Sequence, residues 1–292
     1  MNSPRDAPPG APLDLVVQAP SILREDIDVL CALTETDSVE PLTRAAGDAY
    51  ALRDIRAFDG GEAACAAAGY DCALVPAARA LGRVRLVAMD MDSTLITIEC
   101  IDEIADLQGL KPHVAAITAR AMGGEIDFRA SLAERVALLR GLPVTALARV
   151  YDERLRLTPG VETMLRGFRA AGAKLLLVSG GFTFFTERLR TRLGLDYTLA
   201  NTLEIVDDRL TGRVIGDIVD AGAKAAALQA HAAALRGGDG LVVAIGDGAN
   251  DLPMLAAADV SIAWRAKPTV RAQATHALDH AGGLDAALNL FT

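Results

Sequence analysis

Four apolar runs stand out along the chain, and each ends in polar or glycine-rich residues. They are "VRLVAMDMD" from Val84, "KLLLVSGG" from Lys174, the weaker "LDYTLANTLEI" from Leu195 and "LVVAIGDGAND" from Leu241. Continuous Val, Leu and Ile runs predict strands buried on both faces of a parallel sheet. Helical periodicity fills most of the stretches between them. Ligands of such sheets sit just beyond the carboxyl ends of the strands. Asp90 with Asp92, Ser179 with Gly180 and Gly181, and Asp247 with Asn250 and Asp251 occupy those ends. They are expected to converge on one crevice.

Two inserts interrupt this pattern. Residues 99–157 hold "ECIDEIADLQGL", "KPHVAAITARAMGG", "FRASLAERVALLRGL" and "PVTALARVYDERLRL", all with helical periodicity. Placed between the first two strands, these helices would lie over the crevice as a lid. "NTLEIVDDRLTGRVIG" reads as a hairpin turning near Asp207 and Asp208. Ahead of Val84 the pattern differs. "PLDLVVQA", "DAYALRDI" and "DCALVP" read as strands, and "SILREDIDVLCAL" and "GGEAACAAAG" as helices. Residues 12–80 therefore predict a small α+β module, whose element order resembles an ACT-like regulatory unit. It carries no ligand signature, so packing or dimerisation is an equal expectation. Residues 1–11 read as a disordered lead without the basic-then-apolar order of a signal peptide. The fold class expected is α/β: a Rossmann-like parallel sheet over 84–292 with a helical cap insertion.

Composition narrows the function. Of 292 residues 51% are hydrophobic but only 4% aromatic, which suits a helix-rich α/β protein better than a β-sandwich. A net charge of −9 argues against a general nucleic-acid binder, though a local site can still oppose it and take an anionic substrate. No apolar run approaches the roughly 20 residues of a membrane span. Cys31, Cys65, Cys72 and Cys100 lack metal-type CxxC spacing, so free thiols in a cytoplasmic protein are expected.

The strand ends carry chemistry of one kind. A carboxylate at Asp90 can attack phosphorus, and Asp92 could protonate a leaving oxygen and later activate water. An isolated Asp-x-Asp also caps helices. "SGGF" makes an anion cradle or an ordinary turn. Only Lys111, Lys174, Lys224 and Lys267 are lysines among 29 basic residues. Lys224 could bind phosphoryl oxygens, or be a solvated surface lysine. Asp247 suits Mg²⁺ as a direct ligand, with Asp251 either a ligand or a supporting partner. His113, His231, His276 and His280 lie outside these ends and read as surface or helix-packing residues, which disfavours a histidine phosphatase or a zinc hydrolase. No serine hydrolase triad is apparent.

"DMDST", "SGG", Lys224 and "GDGANDLPML" resemble, in order, the four motifs of the haloacid dehalogenase superfamily. The resemblance spans about Leu86 to Leu288. "ECIDEIA" and "MGGEIDFRASLAERVALLRGLP" are similar to the cap of the branch that acts on O-phospho-L-serine. The resemblance implies hydrolysis of that substrate to serine and phosphate, the last step of serine biosynthesis, through an aspartyl-phosphate. It implies Asp90 as nucleophile, Asp92 as general acid/base, and Mg²⁺ on Asp90, the Asp92 carbonyl and Asp247. Ser179, Gly180, Lys224 and Asn250 would meet the phosphate. Glu99 would meet the ammonium and Arg135 the carboxylate, with Met122 and Phe128 as apolar pocket positions. A phosphotransferase to an alcohol, or a sugar or nucleotide phosphatase, would reuse the strand ends. A receiver-like signalling module would lack Asp92 and the lid.

Overall fold

The structure is a computed structural model that describes residues 10–292. Apart from Gly10 and Ala11, the lead expected over 1–11 lies outside the described residues. The first part of the chain holds β1 (Leu13–Ala19), α1 (Arg24–Thr34), β2 (Val39–Pro41), β3 (Asp48–Leu52), α2 (Gly61–Ala68) and β4 (Asp71–Pro76). Its strands form an antiparallel sheet in the order β2-β3-β1-β4. Leu15, Val17, Leu30 and Cys65 make its own apolar cluster. The short β2 was not among the expected strands.

This first sheet is bolted to the end of the chain. Asp71 accepts hydrogen bonds from the backbone N–H groups of Asp279, His280 and Ala281 at 2.8–3.1 Å. Asn289 donates to Gln18 at 2.9 Å, and Leu81 N–H to the Thr292 carbonyl at 3.0 Å. Arg79, fully buried, meets Nε2 of His276.

The rest contains β5 (Val84–Met89) and then the helices α3 (Cys100–Asp106), α4 (Lys111–Met122), α5 (Phe128–Ala137), α6 (Val144–Arg149) and α7 (Val161–Ala170). There follow β6 (Lys174–Phe182), α8 (Thr183–Leu193), β7 (Tyr197–Val206), β8 (Arg209–Ile215), α9 (Ala221–Leu235) and β9 (Leu241–Gly246). Last come α10 (Leu252–Ala256), β10 (Val260–Trp264), α11 (Pro268–Arg271) and β11 (His276–Leu278). The sheet order is β11-β10-β9-β5-β6-β7-β8, parallel throughout except for the β7–β8 hairpin. Asp207 and Asp208 both take positive φ at its turn, as a two-residue hairpin with the strands' right-handed twist requires.

Both faces of this sheet are covered, which is why its strands are uninterrupted apolar runs. Val87 and Met89 of β5 point into one cluster with Met164 and Phe168 of α7. Leu86 and Ala88 point into the other with Leu228 of α9 and Met254 of α10. Helix α7 buries Val161, Met164, Leu165 and Phe168, one stripe at helical spacing. The chain leaves β5 to one side for β6 and returns on the other with β9. The crevice between β5 and β9 is therefore the topological switch point.

Helices α3 to α6 cover that crevice. The β7–β8 hairpin holds them through Gly141 N–H to the Leu210 carbonyl (2.7 Å), Leu210 N–H to Leu142 (2.8 Å) and Val144 N–H to Asp208 (2.9 Å). Two histidines are placed as read: His231 on α9 stacks on Tyr197, and His113 is exposed on α4. His276 is not a surface or helix-packing residue. It lies in β11, 3% exposed, because its partner Arg79 is remote in sequence and invisible to a local pattern.

Candidate active site

Strand β5 delivers its acids through a strained turn. Asp90 N–H still bonds the Ile245 carbonyl of β9, so Asp90 is held at the strand end. Asp92 remains extended, and Ser93 takes φ 57°, a left-handed conformation in which the chain reverses. The turn thereby brings both carboxyl groups to one cavity of about 560 Å³. Gly181 makes this approach possible. A Cβ there would come within 3.0 Å of Asp92 Oδ2 and Ser179 Oγ.

Lys224 organises the floor. It is 1% exposed and donates to Asp90 Oδ1 at 2.7 Å and Asp251 Oδ1 at 2.8 Å. Burial would lower its pKa, but Asp90 and Asp251 more than offset this and keep it charged. Asp220, as N-cap of α9, accepts from Ala223 N–H and fixes the helix that carries the lysine. Asp251 is completely buried, and its second oxygen accepts from the N–H groups of Asp247 and Gly248. It is thus a support for the Asp247 loop.

The carboxyl groups facing the cavity share one electrostatic character. Burial holds Asp90 well above the usual carboxylate range, helped by Asp251 and opposed by Lys224. Burial, with Glu99 nearby, pushes Asp92 up to about 7, against the pull of a hydrogen bond from Cys100 N–H. Asp247 is pushed up to about 6 by burial despite a 2.7 Å hydrogen bond from Thr94 Oγ1. Oxygens of Asp90, Asp247 and Asp251 lie within 4.8 Å of one another. Hard carboxylate donors, crowded and reluctant to ionise together, form a cluster suited to a divalent cation.

Ser179 and Gly180 end the straight part of β6. Ser179 is 1% exposed, and its Oγ accepts from Gly181 N–H at 2.8 Å. From the cap, the Phe128 ring closes over Gly180: a Cβ on that glycine would lie 3.1 Å from the ring. Arg129 pairs with Asp220 at 2.6 Å and fastens the cap to the base of α9. Glu99, Met122, Phe128 and Arg135 all line the cavity, as do Asp90, Asp92, Ser179, Gly180, Asp247 and Asn250. Lys224 sits behind Asp90 and not in the wall. Glu99 accepts from Ser93 Oγ at 2.6 Å, and burial raises its carboxyl. Arg135 is half-buried; burial lowers its pKa against the attraction of Asp102 and Glu99.

Some participants were not expected. Asn201 is fully buried, donates to the Gly180 carbonyl and accepts from Val219 N–H, both at 2.8 Å. It ties the Ser179–Gly181 loop to the segment leading into α9. Ser131 and Lys267 also line the cavity. No local signal marks Asn201 or Ser131, whereas Lys267 stood in the short roll of lysines with no task attached.

With this geometry in place the family is clear. The chain belongs to the haloacid dehalogenase-like hydrolases, whose pattern matches residues 87–256. Its relatives are narrower in kind. A phosphoserine phosphatase of Polaromonas sp. is 52% identical over 215 residues, 72% of this chain and 91% of its own. The crystal structure of a probable phosphoserine phosphatase from Vibrio cholerae, unliganded, is 38% identical with a TM-score of 0.81, covering 95% of this chain and 85% of its own. A substrate-bound phosphoserine phosphatase complex is 36% identical with a TM-score of 0.65, covering 72% of this chain and 99% of its own.

Proposed function

We propose that the chain hydrolyses O-phospho-L-serine to L-serine and phosphate, the final step of serine biosynthesis, in the cytoplasm. One observation carries the reading: a single cavity holds the Asp90–Asp92 pair together with an anionic Glu99 and a cationic Arg135. A zwitterionic amino acid needs one fixed charge of each sign, and guanidinium grips carboxylate in bidentate fashion. The names of the relatives point the same way.

Asp90 is the nucleophile in this reading. Both hydrogen bonds to its carboxylate fall on Oδ1, from Lys224 and from Met91 N–H, so Oδ2 attacks phosphorus. The bond from phosphorus to the seryl oxygen breaks, and Asp92 gives that oxygen its proton. A carboxyl raised to about 7 can carry that proton near neutrality. The resulting Asp92 carboxylate then takes a proton from water. The water oxygen bonds phosphorus, the aspartyl-phosphate bond breaks and Asp90 is regenerated. Ser179, Gly180 and Asn250 in the wall hold the phosphoryl oxygens, Lys224 behind Asp90 lends them its charge, and Met122 and Phe128 close the apolar side. Asp90, the Asp92 carbonyl and Asp247 would hold Mg²⁺, which when bound neutralises phosphoryl charge.

Residues 84–292 form the catalytic unit, with its cap over 99–157. Residues 12–80 form a small module, ACT-like in element order and packed against the catalytic unit, whose role is association with a second copy. The Polaromonas relative supports a catalytic unit that stands without it, since 91% of that chain aligns to 72% of this one. The function is tested by phosphate release from O-phospho-L-serine, phosphothreonine, a hexose phosphate and an aryl phosphate, with and without Mg²⁺. A Mg²⁺-dependent preference for phosphoserine is expected. Turnover of the aryl phosphate alone would discard the substrate while keeping the Asp90 chemistry.

A further inference from the structure

The chain has few lysines, and three of the four are committed. Lys111 pairs with Glu103, Lys174 with Asp196, and Lys224 with Asp90 and Asp251. The Lys267 ammonium makes no ion pair or hydrogen bond among the described residues. It is exposed, yet it lines the same cavity as Asp90, Asn250 and Arg135. Its position has a structural cause. Strand β10 runs parallel to β9 and ends at Trp264, so the segment after it emerges on the side of the sheet where Asp247 lies. Lys267 is the first residue before α11, and the Val270 N–H bond to its carbonyl fixes its backbone there.

An unpartnered cation beside a cleft rich in carboxylates, on a chain of net charge −9, calls for an account. Substrate and product both carry a phosphoryl dianion, which the surrounding acids repel. The buried Lys224 is screened from bulk water by its own ion pairs and attracts little at a distance. We propose that Lys267 is the residue that recruits the phosphoryl group: it draws the phosphorylated substrate into the cavity and takes no part in the bond changes. The proposal deepens the phosphatase reading and rests on it for the anionic substrate, but not for the identity of phosphoserine. Exposed charges act through a solvent-like dielectric and are screened beyond a Debye length of about 10 Å at 0.1 M salt. The effect belongs in the capture of substrate and in its salt dependence.

The test compares the Mg²⁺-loaded full chain with Lys267→Ala, Lys267→Glu and Lys267→Arg, using O-phospho-L-serine and p-nitrophenyl phosphate from low salt to about 0.5 M. For Lys267→Ala at low salt, kcat/KM should fall roughly 3- to 10-fold on both substrates, with kcat held. The inhibition constant of inorganic phosphate should rise in parallel. The loss should deepen for Lys267→Glu, be rescued by Lys267→Arg and fade as salt rises. A loss confined to phosphoserine, an equal loss at all salt concentrations, or unchanged kcat/KM would each overturn the proposal. The wild-type ratio between the two substrates reports separately on phosphoserine itself, so failure of that reading is seen apart from failure of this one.

Discussion

Thr94→Val isolates the link between the first strand-end loop and the Asp247 carboxylate. Thr94 is fully buried, its Oγ1 donates to Asp247 Oδ1 at 2.7 Å, and its carbonyl accepts from Thr158 Oγ1 at 2.7 Å. Valine keeps the shape and the backbone bond and removes only the hydroxyl. A hydrogen bond to a charged group is worth about 1.5–3 kcal/mol. Since about 1.4 kcal/mol is a factor of ten, the Mg²⁺ needed for half-maximal activity should rise roughly 10- to 100-fold, the range typical of partners that orient metal ligands. Without the cation, burial pushes Asp247 up to about 6 while Thr94 pulls it down. Loss of the hydroxyl raises the carboxyl further, and protons then compete harder with the metal. The defect should therefore be larger at mildly acidic than at mildly alkaline pH. The assay is a Mg²⁺ titration of phosphoserine hydrolysis at both pH values, with calorimetric Mg²⁺ binding beside it. An unchanged half-saturating Mg²⁺ concentration, or a shift of the same size at both pH values, would refute the reasoning.

Other substitutions read other parts of the site. Arg135→Ala should lower kcat/KM for phosphoserine roughly 100-fold, about 3 kcal/mol for a lost charged pair, and spare an aryl phosphate; steady-state kinetics on both substrates decide it, and equal losses would remove Arg135 as the carboxylate clamp. Asn201→Ala should destabilise the fold by about 2–4 kcal/mol in a urea melt, because it leaves the Gly180 carbonyl and Val219 N–H unpartnered in the interior. Ser131→Ala should raise the melting temperature slightly, since its buried Oγ has no hydrogen-bond partner among the described residues and alanine is the better helix former; a fall would mean that the hydroxyl is satisfied in solution.

What could be read along the chain follows the range of the interactions involved. Asp90, Asp92, Ser179 and Asp247 were legible because each closes an apolar run of its strand or lies within a few residues of it, so that run and polar end fall in one window. The cap helices were legible from periodicity, but periodicity does not say which side chains face the crevice. Glu99, Met122, Phe128 and Arg135 were named only through the family resemblance. Strand β10 escaped because it runs into Trp264 and Arg265 with no acid, hydroxyl or paired glycine at its end, and β11 because its three residues are too short to form an apolar run. Thr94 escaped because its partner Asp247 lies 153 positions away. Asn201 sits inside the weakest strand, and its task is to join Gly180 to Val219. Such closures are set when the sheet assembles, and no local pattern encodes them.

The charges at the crevice fit together as one design. Asp90, Asp92, Glu99 and Asp247 face the cavity, and all are raised above their ordinary range, chiefly by burial. Lys224 answers only Asp90 and Asp251, so the cleft holds more carboxylate than its own cations can balance. That excess has a ready relief at each position: a proton on Asp92, a divalent cation near Asp247 and an ammonium at Glu99. Each relief is also a component the proposed reaction needs, namely the proton for the leaving oxygen, the metal and the substrate's amino group. A cleft balanced by further lysines and arginines would be more stable without ligands and would recruit none of the three. Ligands that bind the native state alone stabilise it by mass action. The same electrostatic tension can therefore be tolerated in the fold, because Lys224 secures the deepest acids, and discharged only when the reacting components are in place.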